Sequence, residues 1–247
     1  MWWHIDWQHP WLAPYRSDGE RIAQQLESGE SLVDALNALA TQRRLRLSIG
    51  PLRFVAHGEM PEGMPYEAFI ARRARVPTRD NGHDLFNALV WLRFPTLKRR
   101  LNELQAEQIA LAGIGHTRGA VRDALTLFDE NAALWRAPAC LVDALRARDW
   151  NALFVTQRAA WRDARLTLFG HALLDKLTQP RKTITAHLWV VPEGVDAQRH
   201  FVSVLTPEWL ARKQHLPLPV LGVPGWWPAN ETQGFYEDAS VFRIARR

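Results

Sequence analysis

A chain of 247 residues with 47% hydrophobic content is long enough to bury a sizeable core, as one large domain or two small ones, and we expect one compact domain. Its single cysteine, Cys140, excludes an intramolecular disulfide and a zinc site built from four cysteines, which indicates a reducing compartment. A balance of 31 Lys+Arg against 26 Asp+Glu leaves a net charge of +5, which favours an anionic small molecule or nucleic acid as partner, although a solvated arginine-rich surface explains the same composition.

The N-terminal stretch, residues 1–7, lacks the basic start and the uninterrupted apolar run of a secretory signal. No stretch approaches the roughly 18 apolar residues of a membrane-spanning helix. We therefore expect a soluble, cytoplasmic protein with no membrane partner, and the sequence leaves its oligomeric state open. Because large aromatic side chains are usually buried, we also expect both ends of the chain to pack down through Trp2, Trp3, Trp7, Trp11, Trp226 and Trp227.

The first quarter of the chain predicts helices and short strands. Cap-type residues at 17–20 predict a first helix that ends at Ser28-Gly29, and a second helix is predicted over residues 31–41. Alternating apolar residues between 45 and 57 predict two short strands. Residues 66–70 fit a strand or a helix, and we favour a helix.

The stretch from 78 to 105 concentrates polar residues ahead of an amphipathic helix. Pro77 predicts extended chain before it, and Asp80 or Asn81 is expected to cap the helix. The helix should end near Phe94, with another starting at Thr96.

The second half of the chain mixes helical and extended patterns. Gly113 and Gly115 mark a loop before residues 116–118. Residues 121–135 predict a strand, a turn at 129–131 and a return strand, although a helix fits nearly as well. Helices are predicted over 138–148 and over a long stretch from 149 to 177.

Alternation predicts a strand over 184–191, and Thr206-Pro207 predicts a helix start. The tail from residue 217 is rich in Pro and Gly, and we expect it to have no regular structure. The predicted fold class is α+β, predominantly helical with a few short strands.

Several long segments resemble a bacterial family of uncharacterised proteins, domain of unknown function 3025. The resemblance rests on VPTRDNGHDLFNALVWLRFPTLKRRLN (76–102), RGAVRDALTLFDENAAL (118–134), FGHALLDKL (169–177) and PLPVLGVPGWWPANETQGFYEDASVFR (217–243). One departure is Ala132, where the pattern has glycine, and this weakens the tight turn predicted beside it. The resemblance implies a single full-length domain and no particular activity.

Four polar groups are candidate sites, of which the fourth, His187 within an apolar strand, is more typical of a satisfied core histidine. His83, Asp84 and Asn87 lie at a helix start, where a neutral imidazole beside a carboxylate accepts a proton or binds a metal. His83, Asn87 and Trp91 fall on one helix face. The alternative is that the acidic and amide groups only cap the helix and the histidine satisfies a buried carbonyl.

The second group combines Arg122 and Asp123 with Asp129 and Glu130, and its carboxylates suit a divalent cation, a surface turn or a buried ion pair. In the third group, His171 and Asp175 are spaced i and i+4, as are two ligands or a helix-stabilising pair. Gly170 would let another backbone approach closely.

Established phosphate-loop, dinucleotide, nucleophile-elbow and zinc-protease motifs do not occur in the sequence. The working hypothesis is therefore a divalent-metal-assisted hydrolase acting on an anionic or phosphate-containing substrate. Its expected catalytic residues are His83, Asp84, Asn87 and Asp123, its substrate-binding residues are Arg79, Arg122 and Trp91, and its metal ligands are Asp129, Glu130, His171 and Asp175.

Two rival interpretations remain open. One is an RNA- or protein-binding module that uses a basic face at Lys98, Arg99 and Arg100 together with exposed tryptophans. The other is a structural or assembly factor whose polar residues are architectural.

Overall fold

The structure, a computed structural model, describes residues 1–112 and 119–244, so the loop predicted at Gly113 and Gly115 lies outside the described residues. The described helices are, in chain order, α1 (Arg16–Glu27), α2 (Leu32–Gln42), α3 (Tyr66–Arg73), α4 (Gly82–Arg93), α5 (Pro95–Ala112), α6 (Ala120–Asn131), α7 (Ala139–Ala147), α8 (His171–Lys176), α9 (Ala197–Val204) and α10 (Pro207–Ala211). The described strands are β1 (Arg46–Leu47), β2 (Gly50–Pro51), β3 (Arg53–Ala56), β4 (Arg75–Thr78), β5 (Ala132–Arg136), β6 (Arg165–Leu168), β7 (Thr185–Val190) and β8 (Leu216–Pro219).

The α+β class with helices dominant is confirmed. The predicted helices over 31–41 and 138–148 are present, and the region from 66 to 70 is helical as favoured. Asn81 is the cap of α4, since its side chain accepts a hydrogen bond from the backbone N–H of Asp84.

The strand predicted at the start of 121–135 is wrong, because α6 occupies those residues and only the return strand, β5, is extended. Leu125 and Phe128 are fully buried at helical spacing, while Asp123 faces solvent. The segment is helical because a helix places Leu125 and Phe128 on one face, where both are buried in the core.

The single long helix predicted from 149 to 177 is also wrong. A π turn (Ala152–Thr156) and a 3₁₀ turn (Arg158–Asp163) precede β6, and a separate helix, α8, follows it. The chain leaves the helical conformation because β6 pairs antiparallel with β5, a contact that no local pattern reveals.

The expectation of an irregular tail is wrong for β8, which pairs antiparallel with β7. Pro217 and Pro219 lie in this strand, and the four-stranded sheet has the order β6-β5-β7-β8, so β8 is an edge strand. Proline is tolerated there because an edge strand does not need every N–H.

The sheet brings the end of α6 and the start of α8 together. β5 follows α6 directly, β6 leads into α8, and the two strands are paired with Ala133 opposite Leu168. The backbone N–H groups of Phe169 and Gly170 both donate to the carbonyl of Ala132, at 2.9 and 2.8 Å. A side chain at position 170 would lie 2.4 Å from the Glu130 carbonyl oxygen, so the close backbone approach predicted at Gly170 is confirmed.

Strand β4 delivers the chain to α4. It pairs in parallel with β3, with Ala56 opposite Thr78, and the cap of α4 follows three residues later. Helix α4 then packs against α8, while α5 packs against α3 and α6. These contacts enclose a space between the five helices.

Buried apolar side chains from Trp7 to Phe242 form one contiguous cluster. The predicted packing of both ends is confirmed, because the indole of Trp11 lies 6.2 Å from that of Trp226 and 6.4 Å from that of Trp227. Within the part of the chain that the structure describes, no helix has both the length and the apolar character needed to cross a membrane.

Candidate functional site

A cavity of about 360 Å³ lies between α3, α4, α5, α6 and α8. Apolar surface comes from Met60, Ile70, Trp91 and Leu101, and most of the remaining lining is polar. A concave site with an apolar wall and a few converging polar groups is the usual form of a small-molecule site.

Arg79 and Asp84 form one rim of the cavity. The Asp84 carboxylate accepts from the backbone N–H of Arg79 at 2.7 Å and from its guanidinium at 3.1 Å through both Nε and Nη2. Asp84 is buried and its partner is half-exposed. The predicted pairing of Asp84 with His83 is therefore not found, since the carboxylate is taken by Arg79.

Lys98 lies at the centre of the buried polar wall. Only 4% of this residue is exposed, and its ammonium donates to Asn87 Oδ1 at 2.8 Å and to the two carboxylate oxygens of Asp129 at 2.6 and 2.8 Å. The ammonium also lies 5.4 Å from the ring of Trp91. A buried cation is tolerated here because it is paired and hydrogen-bonded.

Each partner of Lys98 positions a further group. Asn87 donates from Nδ2 to the hydroxyl oxygen of Tyr66 at 2.8 Å, which leaves the Tyr66 O–H proton available to a ligand. Burial, reinforced by the charges of Asp84 and Asp129, raises the pKa of Tyr66. Tyr66 therefore remains a hydrogen-bond donor at neutral pH.

Asp129 orients His171 through its backbone. The Nδ1 atom of His171 lies 2.8 Å from the Asp129 carbonyl oxygen, and because a carbonyl only accepts, Nδ1 must carry the proton. Burial lowers the pKa of His171 to about 4, against the opposing charge of Asp129. The imidazole is thus neutral at pH 7, and its Nε2 is a proton acceptor.

The Asp129 carboxylate itself is ionised. Burial alone would raise its pKa, but the charge and hydrogen bonds of Lys98 outweigh that effect and hold the pKa below its ordinary value. The carboxylate oxygen Oδ2 lies 3.7 Å from His171 Nδ1, so it adds to the field around the ring.

His83 and His171 meet at the cavity wall. Their ring centroids are 4.7 Å apart and their planes are nearly perpendicular, at 74°. Both rings line the cavity, although they are 88 residues apart in the chain. Two imidazoles at one wall provide both a proton acceptor and a proton donor.

Of the residues predicted for the site, eight line this cavity and three do not. Those in the lining are Arg79, His83, Asp84, Asn87, Trp91, Asp129, Glu130 and His171. Asp123 is exposed and Arg122 half-buried, and both lie outside the lining. Asp175 lies beside Gly82 at the start of α4, where its carboxylate faces the positive end of the helix.

The predicted metal ligands Asp129, Glu130, His171 and Asp175 do not assemble into a metal site. Within residues 1–112 and 119–244, no group of three or more His, Cys, Asp or Glu side chains is arranged to hold a metal ion. The physical reason is that Lys98 already supplies the cation at Asp129, and Nδ1 of His171 is bonded to a carbonyl.

The predicted basic face is also corrected. Lys98 is buried rather than exposed, Arg99 lies 3.6 Å from Glu103, and Arg100 donates to the carbonyl of Leu205. Every tryptophan of the chain is buried or only partly exposed. The residues that were expected to carry an RNA- or protein-binding surface are therefore largely engaged within the fold.

Sequence reasoning missed Tyr66, Asn102, Gln105 and Thr126, which also line the cavity. A signal was present on α5, because Lys98, Asn102 and Gln105 follow the spacing i, i+4 and i+7 directly beside the apolar Leu97, Leu101 and Leu104. Polar residues that repeat with the period of the buried face indicate a polar stripe inside the fold.

Comparison with known proteins identifies a family but no activity. A family model described as "Protein of unknown function (DUF3025)" matches residues 52–246. The search of curated proteins and the search of solved structures found no match.

Proposed function

The chain belongs to the DUF3025 family, and we propose from its geometry that it is a hydrolase that uses His171 and Tyr66 to cleave an ester or amide bond in the cavity. One observation carries the proposal. Hydrogen bonds link Tyr66, Asn87, Lys98 and Asp129 to His171 in one continuous chain along the cavity wall.

The two ends of this chain have complementary chemistry. Tyr66 offers an O–H donor, and His171 offers an unprotonated Nε2 whose ring is oriented through Nδ1. A base held by a third group and a donor for developing negative charge are the parts that acyl transfer requires. His83 packs edge-on against the base and acts as a positioning residue.

In the proposed reaction, water attacks the carbonyl carbon of the substrate while Nε2 of His171 takes the proton from that water. The O–H of Tyr66 donates to the carbonyl oxygen on which negative charge develops. When the bond to the leaving group breaks, the imidazolium returns the proton to the leaving alcohol or amine. The products are a carboxylic acid and that alcohol or amine, and His171 is neutral again.

Lys98 has a positioning role in this scheme. Its ammonium contacts Asn87 and Asp129, which in turn hold Tyr66 and the base. A buried ion pair is rarely the most stabilising choice at its position, so its presence at a cavity wall supports a functional role.

The test is hydrolysis of 4-nitrophenyl esters and 4-nitroanilides by the purified full-length chain. We expect His171→Ala to lower kcat by about 100-fold or more and Tyr66→Phe by roughly 100-fold. The activity should fall as the pH drops through about 4, where Nε2 becomes protonated.

The matched control is Asp123→Asn, since Asp123 is exposed and lies outside the cavity lining. Its kcat should equal that of the unchanged chain. Absence of turnover on the whole panel, or turnover that survives His171→Ala, contradicts the proposal.

A further inference from the structure

The charge of the cavity differs in sign from the charge of the whole chain. The lining contains two permanent cations, Arg79 and Lys98, and four carboxylates, Glu67, Asp84, Asp129 and Glu130. Arg79 pairs with Asp84 and Lys98 with Asp129, so two cations minus four carboxylates leaves two negative charges. His171 adds no charge at pH 7.

The two remaining carboxylates are Glu67 and Glu130. Neither forms an ion pair within the part of the chain that the structure describes. The charges of Asp84, Asp129 and Glu67 all act to raise the pKa of Tyr66, after the larger effect of its burial. The lining therefore carries a net negative formal charge, although the whole chain carries +5.

The cavity has a second end, away from the two histidines. Lys98 and Gln105 lie on the same side of α5, seven residues apart in sequence, which corresponds to about 10 Å along the helix axis. Glu67 and Asn102 belong to the Gln105 end, since Nδ2 of Asn102 donates to the backbone carbonyl of Glu67 at 3.0 Å. A ligand that spans the cavity would contact both ends.

The Gln105 amide is the second observation that points to a ligand. Only 7% of Gln105 is exposed, and its side chain forms no hydrogen bond with residues 1–112 or 119–244. A polar ligand group at this end of the cavity would supply the missing partner.

We infer that the cavity takes a cationic substrate, whose amine or amidine group binds Glu67 and the amides of Asn102 and Gln105, at the end of the cavity away from His171. This inference rests on the proposed function for the position of the reacting bond. The preference for a cation follows from the charges of the lining residues and does not depend on the proposed reaction. It replaces the anionic substrate that the net charge of the chain favoured.

The experiment uses three small probes of nearly equal shape and different charge: benzamidinium (+1), benzamide (0) and benzoate (−1). Their dissociation constants are measured on the full chain by titration calorimetry or NMR. We expect benzamidinium to bind about tenfold more tightly than benzoate, with benzamide between them. Glu67→Gln should reduce the difference between benzamidinium and benzoate to about threefold or less.

The matched control is Glu107→Gln, which removes the same charge from an exposed position on α5 outside the lining. It should leave the tenfold preference unchanged. Tighter or equal binding of benzoate, a preference that survives Glu67→Gln, or no binding of any probe at millimolar concentration overturns the inference.

The two proposals fail separately. If the cation preference is found but no ester or amide is hydrolysed, only the proposed reaction is wrong. If hydrolysis is found together with a preference for benzoate, only the substrate class is wrong. His171→Ala should abolish turnover and keep the cation preference.

Discussion

Two regions of this molecule bury large side chains by different means. Around Lys98, the wall of the cavity buries an ammonium that is hydrogen-bonded to the amide of Asn87 and to the carboxylate of Asp129. Around Phe154, aromatic rings stack on one another, with Tyr236 at 5.0 Å and Trp161 at 5.8 Å between ring centroids.

The difference distinguishes side chains that stabilise the fold from side chains that the fold positions for a function. Stacked rings gain free energy simply by leaving water, and their polar tips find backbone partners, as when the hydroxyl of Tyr236 donates to the Gly222 carbonyl at 2.9 Å. A buried charged network gains little over a well-packed apolar core. The Phe154 region is therefore explained by packing alone, whereas the Lys98 region calls for a function.

Lys98→Met tests this difference between the two regions most directly, and we expect it to have the largest effect. It leaves the buried carboxylate of Asp129 without its cation, so we expect a loss of about 3–5 kcal/mol in the free energy of unfolding, measured with urea, and loss of hydrolysis. Arg99→Met removes a charge from the next position, where the side chain is 43% exposed, and should change stability by less than about 0.5 kcal/mol.

A double variant separates stability from positioning. Lys98→Met combined with Asp129→Asn should recover a large part of the lost stability, because no unpaired charge remains, yet recover no activity. Recovery of activity in the double variant would falsify the positioning role of Lys98.

His171 gives the next effect, a dependence of stability on pH. Its pKa is about 4 in the folded chain and about 6.5 for an ordinary, solvated histidine, so the unfolded chain binds more protons between these limits. Stability from this group is present above pH 6.5 and is lost as the pH falls toward 4. The loss is about 3 kcal/mol, from 1.36 kcal/mol per pKa unit.

The measurement is a series of urea unfolding curves between pH 7 and pH 4, compared with the same series for His171→Asn. The variant should show a slope with pH that is smaller by the contribution of one histidine. Equal slopes in both chains would mean that the pKa of His171 does not change on folding, which contradicts the effect of its burial.

The smallest effect belongs to the aromatic region. Phe154→Leu removes part of the ring that packs against Tyr236 and Trp161, and we expect a loss of roughly 1–2 kcal/mol in unfolding free energy. The kcat of the folded fraction should not change, because this region does not line the cavity. A change in kcat at constant folded fraction would show that the two regions are coupled.

Local rules were sufficient for several elements of this protein. The caps at Ser31 and Asn81, the apolar stripe of α2 and the proline at the start of α10 are read within a few residues, so these helices were predictable. The spacing of His83, Asn87 and Trp91 on α4 likewise follows from helix geometry. The prediction of a single domain remains a prediction.

Non-local pairing limited the rest. Residues 165–168 become a strand only because β5 lies beside them, and α6 becomes a helix because Leu125 and Phe128 have a core to enter. The basic face predicted from consecutive charges was wrong for the same reason, because a residue's surroundings depend on the tertiary structure. Lys98, Arg99 and Arg100 are consecutive in sequence, but a helix turns them to different directions, and only the first points to the interior.

The sequence by itself determined the fold class, the caps at Ser31 and Asn81, the polar turn before α4 and eight of the residues that line the cavity. The caps and the turn depend on neighbours within one or two helical turns. Tertiary structure decided what those residues do to one another. In the folded chain, the Asp129 carboxylate pairs with Lys98 rather than with a metal. The rings of His171 and His83 are in contact although the residues are 88 positions apart. The cavity lining carries a net negative formal charge in a chain that is basic overall. Partner choice and local potential depend on distances in space, which a sequence pattern does not contain.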